Sequence, residues 1–328
     1  MTIMSETISS PASVAAGGDA PRIGALVVLY RPTTEQLAHL LELCEHGVPV
    51  LAVDNSPVAV PSIARGLTAH GIEYLRNANR GGIAGAYNRG LTHLFERGFD
   101  AVALFDQDSL VSVDYFRVMR ESCTALGARP FAIGPRIYDE NIRRFLPQMY
   151  SNGLSLRKLI FEAGASLQPC SFLLSSGCVI SRLAYERLGT FAEPLFIDHV
   201  DTEYSLRALL RGVPFYVEPR LILSHRIGEK REHRLGPIRV TSMNHPAFRR
   251  YYMARNGMHL CLQYMPTLPI ALIPNLITLM QVWQVLLFES GKLAKLSGIV
   301  CGMVDGMLGR LGPLEAARPR LAARLARG

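Results

Sequence analysis

The chain has 328 residues, of which 49% are hydrophobic and 19% charged, so it can build one large domain or two ordinary ones around a real core. Its formal net charge of +8 suits polyanions, anionic lipid surfaces or phosphorylated substrates and does not choose among them. None of the six cysteines lies in a C-x-x-C pair or at a zinc-site spacing, which favours buried, reduced thiols in the cytosol.

The chain begins with 20 small and polar residues that lack the basic start and apolar run of a secretory signal, so residues 1–20 are predicted to be a disordered leader. Order begins at "IGALVVLY", a continuous apolar run rich in β-branched residues, which is typical of a strand buried on both faces. The predicted strands are 23–30, 48–56, 72–77 and 101–105, and the predicted helices are Thr34–Glu45 and one that begins near Ile83. This alternation predicts an α/β fold with a mostly parallel sheet and helices on both faces. Its strand ends, where ligands bind, should gather at one edge.

The second half of this region is less regular. The stretches "FAIGPRIYD" and "SFLLSSGCVIS" predict two more strands, and "PFYVEPRLILSHRIG" predicts a strand that ends in His225. "SRLAYERLG" predicts a helix closed by Gly189, and "FIDHVDTEYSLRALLRG" predicts an acidic loop followed by a helix.

The C-terminal part contains the one membrane candidate, because residues 256–288 carry no charged side chain. Pro266, Pro269 and Pro274 are expected to break this stretch and to leave Asn275–Phe288 as its longest uninterrupted piece. Its 14 residues are fewer than the roughly 20 that a spanning helix needs. Two interpretations stay open: an interfacial helix that rests on an anionic leaflet beside the basic tail, or a core helix followed by a solvated basic end.

Two carboxylates, Asp106 and Asp108 in "LFDQDS", directly follow the buried strand 101–105. In an extended chain, side chains two residues apart point the same way, and two like charges so close are unfavourable unless a cation lies between them. Oxygen ligands at this place in an α/β sheet suit Mg²⁺ or Mn²⁺ and leave open positions for a diphosphate. The alternative is a solvated turn, because D-x-D triplets are common by chance.

Two further polar segments follow predicted strands. Asp54 closes an apolar strand, where a carboxylate can accept hydrogen bonds from a ribose hydroxyl or a pyrimidine N–H; the alternative is an Asx turn or a helix N-cap. The segment "NANRGGIAGAYNRG" matches neither G-x-G-x-x-G nor a P-loop. Its small residues would let the backbone approach a ligand, Asn79 and Asn88 offer amides, and Arg80 could face a phosphate. A helix start that needs small residues for packing explains the same pattern.

Three acids, Asp198, Asp201 and Glu203, lie within six residues around a predicted helix start. A carboxylate can deprotonate a sugar hydroxyl that lies within hydrogen-bond reach. Acids at a helix N-terminus also interact favourably with the helix dipole, which is an explanation without chemistry. His225, at its strand end, is more often a structural histidine than a metal ligand unless the fold brings it to the D-x-D pair.

The order of these motifs resembles that of inverting, family 2 glycosyltransferases of the GT-A type over residues 23–256. The segments that carry the resemblance are "VDNS", "NRGGIAGAYNRG", "FDQDS", "SSGCVISRLAYERLGTF", "FIDHVDTEYSLR" and "SHRIG". "DQDS", the acidic motif and "FRRYYMARNG" are most similar to the rhamnosyltransferase branch, and "AVDNSP", "RRFLP" and "MNHPAFRRYYMARNG" are similar to its rhamnolipid-forming members. The whole set is far more specific than any single motif in it.

The resemblance implies a GT-A domain over residues 21–256 and a helical, apolar C-terminal segment with a basic tail over residues 257–328. It implies dTDP-L-rhamnose as the donor, Mg²⁺ or Mn²⁺ as the cofactor, and a mono-rhamnolipid acceptor that becomes a di-rhamnolipid. A lipid-linked O-antigen or other polysaccharide precursor is the alternative acceptor. We therefore expect a cytoplasmic enzyme, peripheral at the inner membrane, in contact with other rhamnolipid-pathway enzymes and not with nucleic acid.

The resemblance also implies which acids do the chemistry. Asp201 falls where the family has its catalytic aspartate. Val200 stands where the family normally has the preceding acid, so Asp198 stays open as the alternative base. Glu203 matches a further acidic position of the same motif.

Binding roles follow in the same way. The implied metal ligands are Asp106, Asp108 and His225. The implied donor-binding residues are Tyr30, Asp54, Asn79, Arg80, Gly82, Asn88 and Asp106.

Overall fold

A computed structural model describes residues 20–161, 165–225, 231–235, 238–242 and 244–326. The strands are β1 (Ile23–Leu29), β2 (Val50–Asp54), β3 (Glu73–Arg76), β4 (Ala101–Asp106), β5 (Ala132–Asp139), β6 (Arg144–Phe145), β7 (Met149–Ser151), β8 (Leu156–Lys158), β9 (Gln168–Cys170), β10 (Cys178–Ser181), β11 (Phe215–His225), β12 (Arg231–Leu235) and β13 (Ile238–Ser242). The helices are α1 (Thr34–Cys44), α2 (Pro61–Ala69), α3 (Gly82–Glu96), α4 (Tyr115–Leu126), α5 (Arg182–Leu188), α6 (Val200–Arg211), α7 (Ala247–Tyr264), α8 (Ile273–Phe288), α9 (Lys292–Met307), α10 (Leu314–Ala317) and α11 (Pro319–Leu325). The predicted disordered leader lies outside the described residues apart from Ala20.

Nine strands form one sheet in the order β3-β2-β1-β4-β10-β5-β11-β9, with β6 paired to β5. Strands β3, β2, β1 and β4 are parallel to one another, and β5 is parallel to β11, so the predicted mostly parallel sheet is confirmed. Every residue of β1 is buried because helices cover both faces. Leu26 and Val28 face the core shared with α3, α5 and α6, whereas Ala25 and Val27 face the core shared with α1, α2 and α4.

One predicted strand differs in length and in direction. Of the stretch 171–181, only Cys178–Ser181 is a strand, and it runs antiparallel to both of its neighbours, β4 and β5. A turn precedes it, in which the Cys178 amide donates to the Ser175 carbonyl at 3.0 Å and Gly177 has a φ of 72°. Because β10 is antiparallel to β4 and Cys178 pairs with Leu104, the turn lies beside the end of β4.

Helices α7 and α9 touch through their backbones. The three glycines Gly298, Gly302 and Gly306 of α9 face α7. A Cβ at Gly302 would lie 2.3 Å from the Tyr251 carbonyl oxygen, and one at Gly306 would lie 2.2 Å from the Arg255 carbonyl oxygen. Only residues without a side chain allow such a close approach, so this glycine row decides how the C-terminal helices pack on α7.

The predicted break at Pro266 is found, because α7 ends at Tyr264 and a turn follows, whereas Pro269 and Pro274 do not interrupt the helical stretch after it. A short 3₁₀-helix, Pro269–Leu272, leads directly into α8, and each of these two prolines lies in the first turn of its helix, where its missing N–H removes no hydrogen bond. By length and composition only, the 20-residue run Pro269–Phe288 is the one described helix that could cross a membrane. The predicted helical C-terminal segment is present, and its border after residue 256, which falls inside the continuous α7, stays a prediction.

Candidate active site

Three of the predicted site residues lie at the ends of adjacent strands. Tyr30 follows β1, Asp54 ends β2 and Asp106 ends β4, and these strands are neighbours in the order β2-β1-β4. The Gln107 side chain joins two of these ends, because its Oε1 accepts from the Tyr30 amide at 2.7 Å and its Nε2 donates to the Tyr30 carbonyl at 3.2 Å. This side-chain amide replaces a backbone partner for Tyr30 and holds the tip of β1 beside the D-x-D motif.

The D-x-D motif is not the extended pair that we predicted. Strand β4 ends at Asp106 and a turn follows, in which the Ser109 amide donates to the Asp106 carbonyl at 3.1 Å. The Asp106 amide donates to the Ser109 hydroxyl at 3.1 Å, so a side chain takes the place of the next ladder bond and ends the strand. Asp106 is half-buried and Asp108 is exposed. The Ser109 and Ser176 hydroxyls, 2.6 Å apart, tie this turn to the one that precedes β10.

The third predicted metal ligand lies at the end of β11. The backbone of Ser224 bridges to that of Leu110, just after Asp108, so His225 is next to a residue that pairs with the D-x-D turn; its side chain lies outside the described part of the structure. Among the side chains that are described, no three of histidine, cysteine, aspartate and glutamate gather as a metal ion would require. Two carboxylates and an imidazole nevertheless suit Mg²⁺ or Mn²⁺ chemically, and the metal site stays a prediction.

Asp54 is buried and both of its carboxylate oxygens have partners. Its Oδ1 accepts from the Ser56 amide at 2.8 Å, which is the Asx turn weighed as the alternative. Its Oδ2 accepts from the Tyr74 hydroxyl at 2.6 Å and lies 3.6 Å from the Arg76 guanidinium. Burial and the hydrogen bond to Asp54 raise the pKa of Tyr74 to about 12, so this phenol keeps its proton and donates it. The nucleotide contact of Asp54 stays a prediction.

Side-chain amides shape the loop after β3. Asn77 Nδ2 donates to Asn55 Oδ1 at 2.7 Å and to the Arg80 carbonyl at 2.8 Å, and Asn55 Nδ2 donates to Asn79 Oδ1 at 3.1 Å. Ala78 and Asn79 both have a φ of 56°, a left-handed backbone that these amides help to hold. The network fixes the loop beside the end of β2, and donor contacts by Asn79 and Arg80 stay predictions.

Gly82 and Asn88 pack α3 against the segment before α6. A Cβ at Gly82 would lie 2.0 Å from the Phe196 carbonyl oxygen, which accepts from the Ile83 amide at 2.9 Å. The Asn88 side chain pairs with the backbone of Phe191, donating to its carbonyl at 3.0 Å and accepting from its amide at 2.7 Å. These contacts match the packing alternative for the glycine-rich segment, and donor contacts by the two residues stay predictions.

The loop before α6 has an unusual backbone. Phe196, Asp198 and His199 have φ values of 68°, 60° and 59°, although a left-handed backbone costs residues with a Cβ roughly 1–3 kcal/mol each. Asp198 binds Arg249 of α7 through both carboxylate oxygens. The guanidinium therefore neutralises the alternative base.

Asp201 is the second residue of α6, and its Oδ1 accepts from the Thr202 amide at 2.8 Å. Burial raises the pKa of Asp201 to about 6, and the negative charges of Asp198 and Asp106 act in the same direction. The fold therefore brings Asp106 and Asp201, which belong to two separate motifs, within electrostatic reach of each other. A carboxylate whose pKa lies near neutrality is suited to accept a proton from a hydroxyl.

Glu203 is buried and holds helices together. Its carboxylate accepts from the Arg207 Nε at 3.0 Å and from the Tyr264 hydroxyl at 2.6 Å. Arg207 lies one turn later on α6 and Tyr264 lies on α7, so this acid has a packing role that links the two helices.

A small apolar cavity adjoins Asp201. Its wall includes Leu104 of β4, Cys178 of β10, and Phe191. Tyr204 also lines it, and the hydroxyl of this tyrosine is buried and has no hydrogen-bond partner among the described residues. Apolar walls on this side of Asp201 explain why its ionised form is disfavoured.

Several residues that hold the site in place were not predicted. Gln107 and Asn55 act at the strand ends, whereas Arg249, Arg255 and Asn256 reach the loop before α6 from α7. One signal was present in the sequence: "FRRYYMARNG" has three arginines and an asparagine but no acid. Cations without nearby acids on a helix indicate partners elsewhere in the fold.

Comparisons with known proteins agree with this architecture. No family model matches the chain. The chain is 28% identical to dTDP-rhamnosyl transferase RfbF of Shigella flexneri over 298 residues, which cover 88% of this chain and 97% of that protein. A solved S. aureus TarS fragment, 1-349, matches 93% of this chain and 89% of its own length with a TM-score of 0.51 and 12% identity. GalNAc-T7, solved with UDP, GalNAc and Mn²⁺, matches 64% of this chain with a TM-score of 0.50 and 11% identity, and this chain spans only 44% of it.

The fold is therefore that of the GT-A glycosyltransferases, as the order of the motifs implied. The fold and the similarity to a dTDP-rhamnosyl transferase over 88% of the chain agree with the resemblance to rhamnosyltransferases that the motifs carry. They do not single out the rhamnolipid-forming members.

Proposed function

We propose that the chain is an inverting rhamnosyltransferase that moves L-rhamnose from dTDP-L-rhamnose to a glycolipid acceptor. The observation that carries the proposal is the place of Asp201 at the start of α6, beside an apolar cavity, where burial raises its pKa to about 6 and the charges of Asp198 and Asp106 act in the same direction. The similarity to a dTDP-rhamnosyl transferase over nearly the whole chain supports the choice of donor.

A single displacement needs a base on the acceptor side, and Asp201 suits this role best. With a pKa of about 6 it is mostly ionised at neutral pH, so it can take the proton of an acceptor hydroxyl as that oxygen attacks the anomeric carbon. Attack opposite the leaving dTDP inverts the anomeric centre. Asp198 and Glu203 are less suited because Arg249 and Arg207 bind their carboxylates.

The donor side is the edge formed by the ends of β1, β2 and β4. Asp106 and Asp108, with His225, would hold Mg²⁺ or Mn²⁺, which when bound supplies positive charge to the diphosphate leaving group. The GalNAc-T7 structure, which contains UDP and Mn²⁺, supports a divalent cation in this fold. Tyr30 is 44% exposed at this edge, with the Arg31 guanidinium 5.4 Å from its ring centroid, and offers an aromatic face on which a nucleotide can stack.

Helix α8 supports a lipid acceptor and peripheral contact with the inner membrane. Its buried face includes the polar residues Asn275, Thr278 and Gln281, which is the reverse of a helix on a soluble protein surface. The apolar side chains that α8 exposes by 40% or more are Leu276, Ile277, Leu279, Met280, Trp283, Leu286 and Leu287. An exposed apolar face on a chain of net charge +8 suits an anionic leaflet and the acyl chains of a glycolipid.

Two acceptors are compatible with this surface. The rhamnolipid-like motifs favour a mono-rhamnolipid, and a lipid-linked polysaccharide precursor such as that of O-antigen would use the same donor site and the same apolar face. Contact with other rhamnolipid-pathway enzymes would be expected only if the acceptor is a mono-rhamnolipid.

The test is to incubate the purified protein with dTDP-L-rhamnose and each acceptor in parallel, with mass spectrometry of the products. Formation of di-rhamnolipid supports the mono-rhamnolipid as the acceptor. If only the lipid-linked saccharide gains rhamnose, the polysaccharide precursor is the acceptor instead. If neither acceptor gains a rhamnosyl group and the protein does not bind dTDP, the proposed function is wrong.

A further inference from the structure

Two fully buried side chains of α7, Arg255 and Asn256, hold the loop that precedes α6. Asn256 Nδ2 donates towards three carbonyl oxygens of this loop: those of Leu195 at 3.0 Å, Ile197 at 2.8 Å and Asp198 at 2.9 Å. An amide has only two N–H groups, so three carbonyls at this distance show that the loop backbone converges on one side chain.

Arg255 reinforces the same contact. Its Nη2 donates to the Leu195 carbonyl at 2.8 Å, its Nη1 donates to the Gly312 carbonyl at 2.5 Å, and its Nε donates to Asn256 Oδ1 at 2.9 Å. No carboxylate of the described residues lies within ion-pair distance of Arg255, although a buried guanidinium usually has one. Its donors serve backbone carbonyls and the neighbouring amide, which orients the Asn256 side chain towards the loop.

The side chains of Arg255 and Asn256, called the clamp below, hold a loop whose conformation needs such support. Phe196, Asp198 and His199 have left-handed backbones, which persist in residues with a Cβ only when the surroundings hold them. The Phe196 carbonyl points the other way, to the Ile83 amide at the start of α3. The loop is therefore held from two sides, by α7 and by α3, immediately before Asp201.

We propose that Arg255 and Asn256 are positioning residues that keep this loop in its left-handed form and thereby fix the place of Asp201. Neither residue touches the reacting atoms in this assignment; both act through the loop between them and the base. The inference rests on the proposed function, because it gives Asp201 the role of the base that must be placed.

The test compares two isosteric substitutions on α7. Asn256→Asp keeps the shape of the side chain but sets a carboxylate against the loop carbonyls and removes its donors. Tyr251→Phe is the matched control: it lies five residues earlier on the same helix, beside Arg255, and it removes the hydroxyl that donates to Asp305 at 2.9 Å rather than a hydrogen bond to the loop. We expect Asn256→Asp to lower kcat by roughly 10²-fold relative to the control, with the KM for dTDP-L-rhamnose changed by less than about threefold, since a small misplacement of a reacting group costs this much.

Hydrogen exchange of the amides from Phe196 to Thr202 gives a readout that does not depend on activity. These amides should exchange faster in Asn256→Asp than in Tyr251→Phe, compared at equal distance below each variant's melting temperature. Unchanged exchange, or a kcat within about threefold of the control, overturns the proposal. Should Asn256→Asp fail to fold, Arg255→Lys, which keeps the charge but loses the planar fork, takes its place with the same readouts. A wild type that binds dTDP but transfers rhamnose to neither acceptor counts against the proposed function, while the exchange comparison still decides the clamp.

Discussion

Asp198, Asp201 and Glu203 are close together in the chain, yet each carboxylate has different surroundings. Asp198 binds Arg249 and Glu203 binds Arg207, whereas Asp201 accepts a backbone amide and lies beside an apolar cavity. Guanidinium groups therefore occupy the carboxylates of Asp198 and Glu203, whereas burial raises the pKa of Asp201. Under the proposed function, these surroundings make Asp201 the best suited of the three acids to act as the base.

Asp201→Asn should abolish rhamnosyl transfer and leave dTDP-L-rhamnose binding intact, because the amide keeps the shape but cannot accept the proton. In the wild type, kcat should rise with pH through about 6 and level off above it, since only the ionised carboxylate acts. Transfer rates across pH, read by mass spectrometry, and calorimetry of donor binding check this. Asp198→Asn is the comparison variant: it should keep transfer, with a midpoint below that of the wild type, because it removes a charge that raises the pKa of Asp201. A near wild-type rate for Asp201→Asn would exclude this base.

Removal of divalent cations should stop transfer, and Mg²⁺ or Mn²⁺ should restore it. Asp108→Asn should weaken dTDP affinity at least about tenfold when metal is present and have little effect in EDTA, because the lost charge acts through the cation. Asp114→Asn is the matched control, since this exposed aspartate pairs only with Arg117 on the surface. Calorimetry with and without EDTA measures both variants, and turnover that survives the chelator contradicts the metal site.

At the scale of elements, the structure depends on how closely α7 and α9 approach. The glycine row on α9 brings its backbone against three carbonyls of α7, those of Ala247, Tyr251 and Arg255. Backbone contact leaves no room for adjustment, because a tightly packed interior transmits strain instead of absorbing it. The packing of α9 on α7 and the clamp that holds the loop before α6 therefore belong to one packed unit.

Gly302→Ala should destabilise the protein by about 1–3 kcal/mol, because the new Cβ would lie 2.3 Å from the Tyr251 carbonyl oxygen and force the helices apart. Gly66→Ala is the matched control. It is exposed in α2, nothing lies within 4 Å of its added Cβ, and alanine favours a helix, so it should stabilise by about 0.5–1 kcal/mol. Urea unfolding of both variants measures the difference; equal effects would mean that the backbone contact is absent.

At the scale of the whole molecule, the chain combines a GT-A sheet with helices whose outer surface is apolar. Besides α8, helix α9 exposes Leu293 by 82% and Val300 by 60%. So much exposed apolar surface is rare on a soluble monomer. A lipid surface would remove it from water and bring the protein to the place where the proposed glycolipid acceptor would reside.

Trp283 is the one tryptophan of the chain and is 66% exposed on α8, so its fluorescence reports on this face alone. Vesicles with anionic lipid should shift its emission to the blue, and neutral vesicles should do so less, because the net charge of +8 adds attraction. Trp283→Phe should lose the signal but still float with the vesicles, whereas Trp283→Glu should not float. If the emission wavelength stays unchanged with both kinds of vesicle, α8 does not contact lipid.

The sequence by itself determined the central sheet and the residues at its ends. Buried parallel strands need continuous apolar runs, so β1, β2 and β4 are visible in the chain, and Asp54 and Asp106 close two of those runs. The GT-A fold followed from the order of such motifs. These features are local, because each one depends on residues that are neighbours in sequence.

The tertiary structure alone decided the direction of β10, the turn after Asp106 and the state of each acid. Asp198 and Arg249 are 51 residues apart in the chain, and Asn256 lies 61 residues after the Leu195 carbonyl that it binds. No local pattern encodes such partners, since a carboxylate or a left-handed turn depends on whatever the fold places against it. Whether an aspartate is a base or half of an ion pair is therefore a property of the folded molecule, because desolvation and charge act through space and not along the chain.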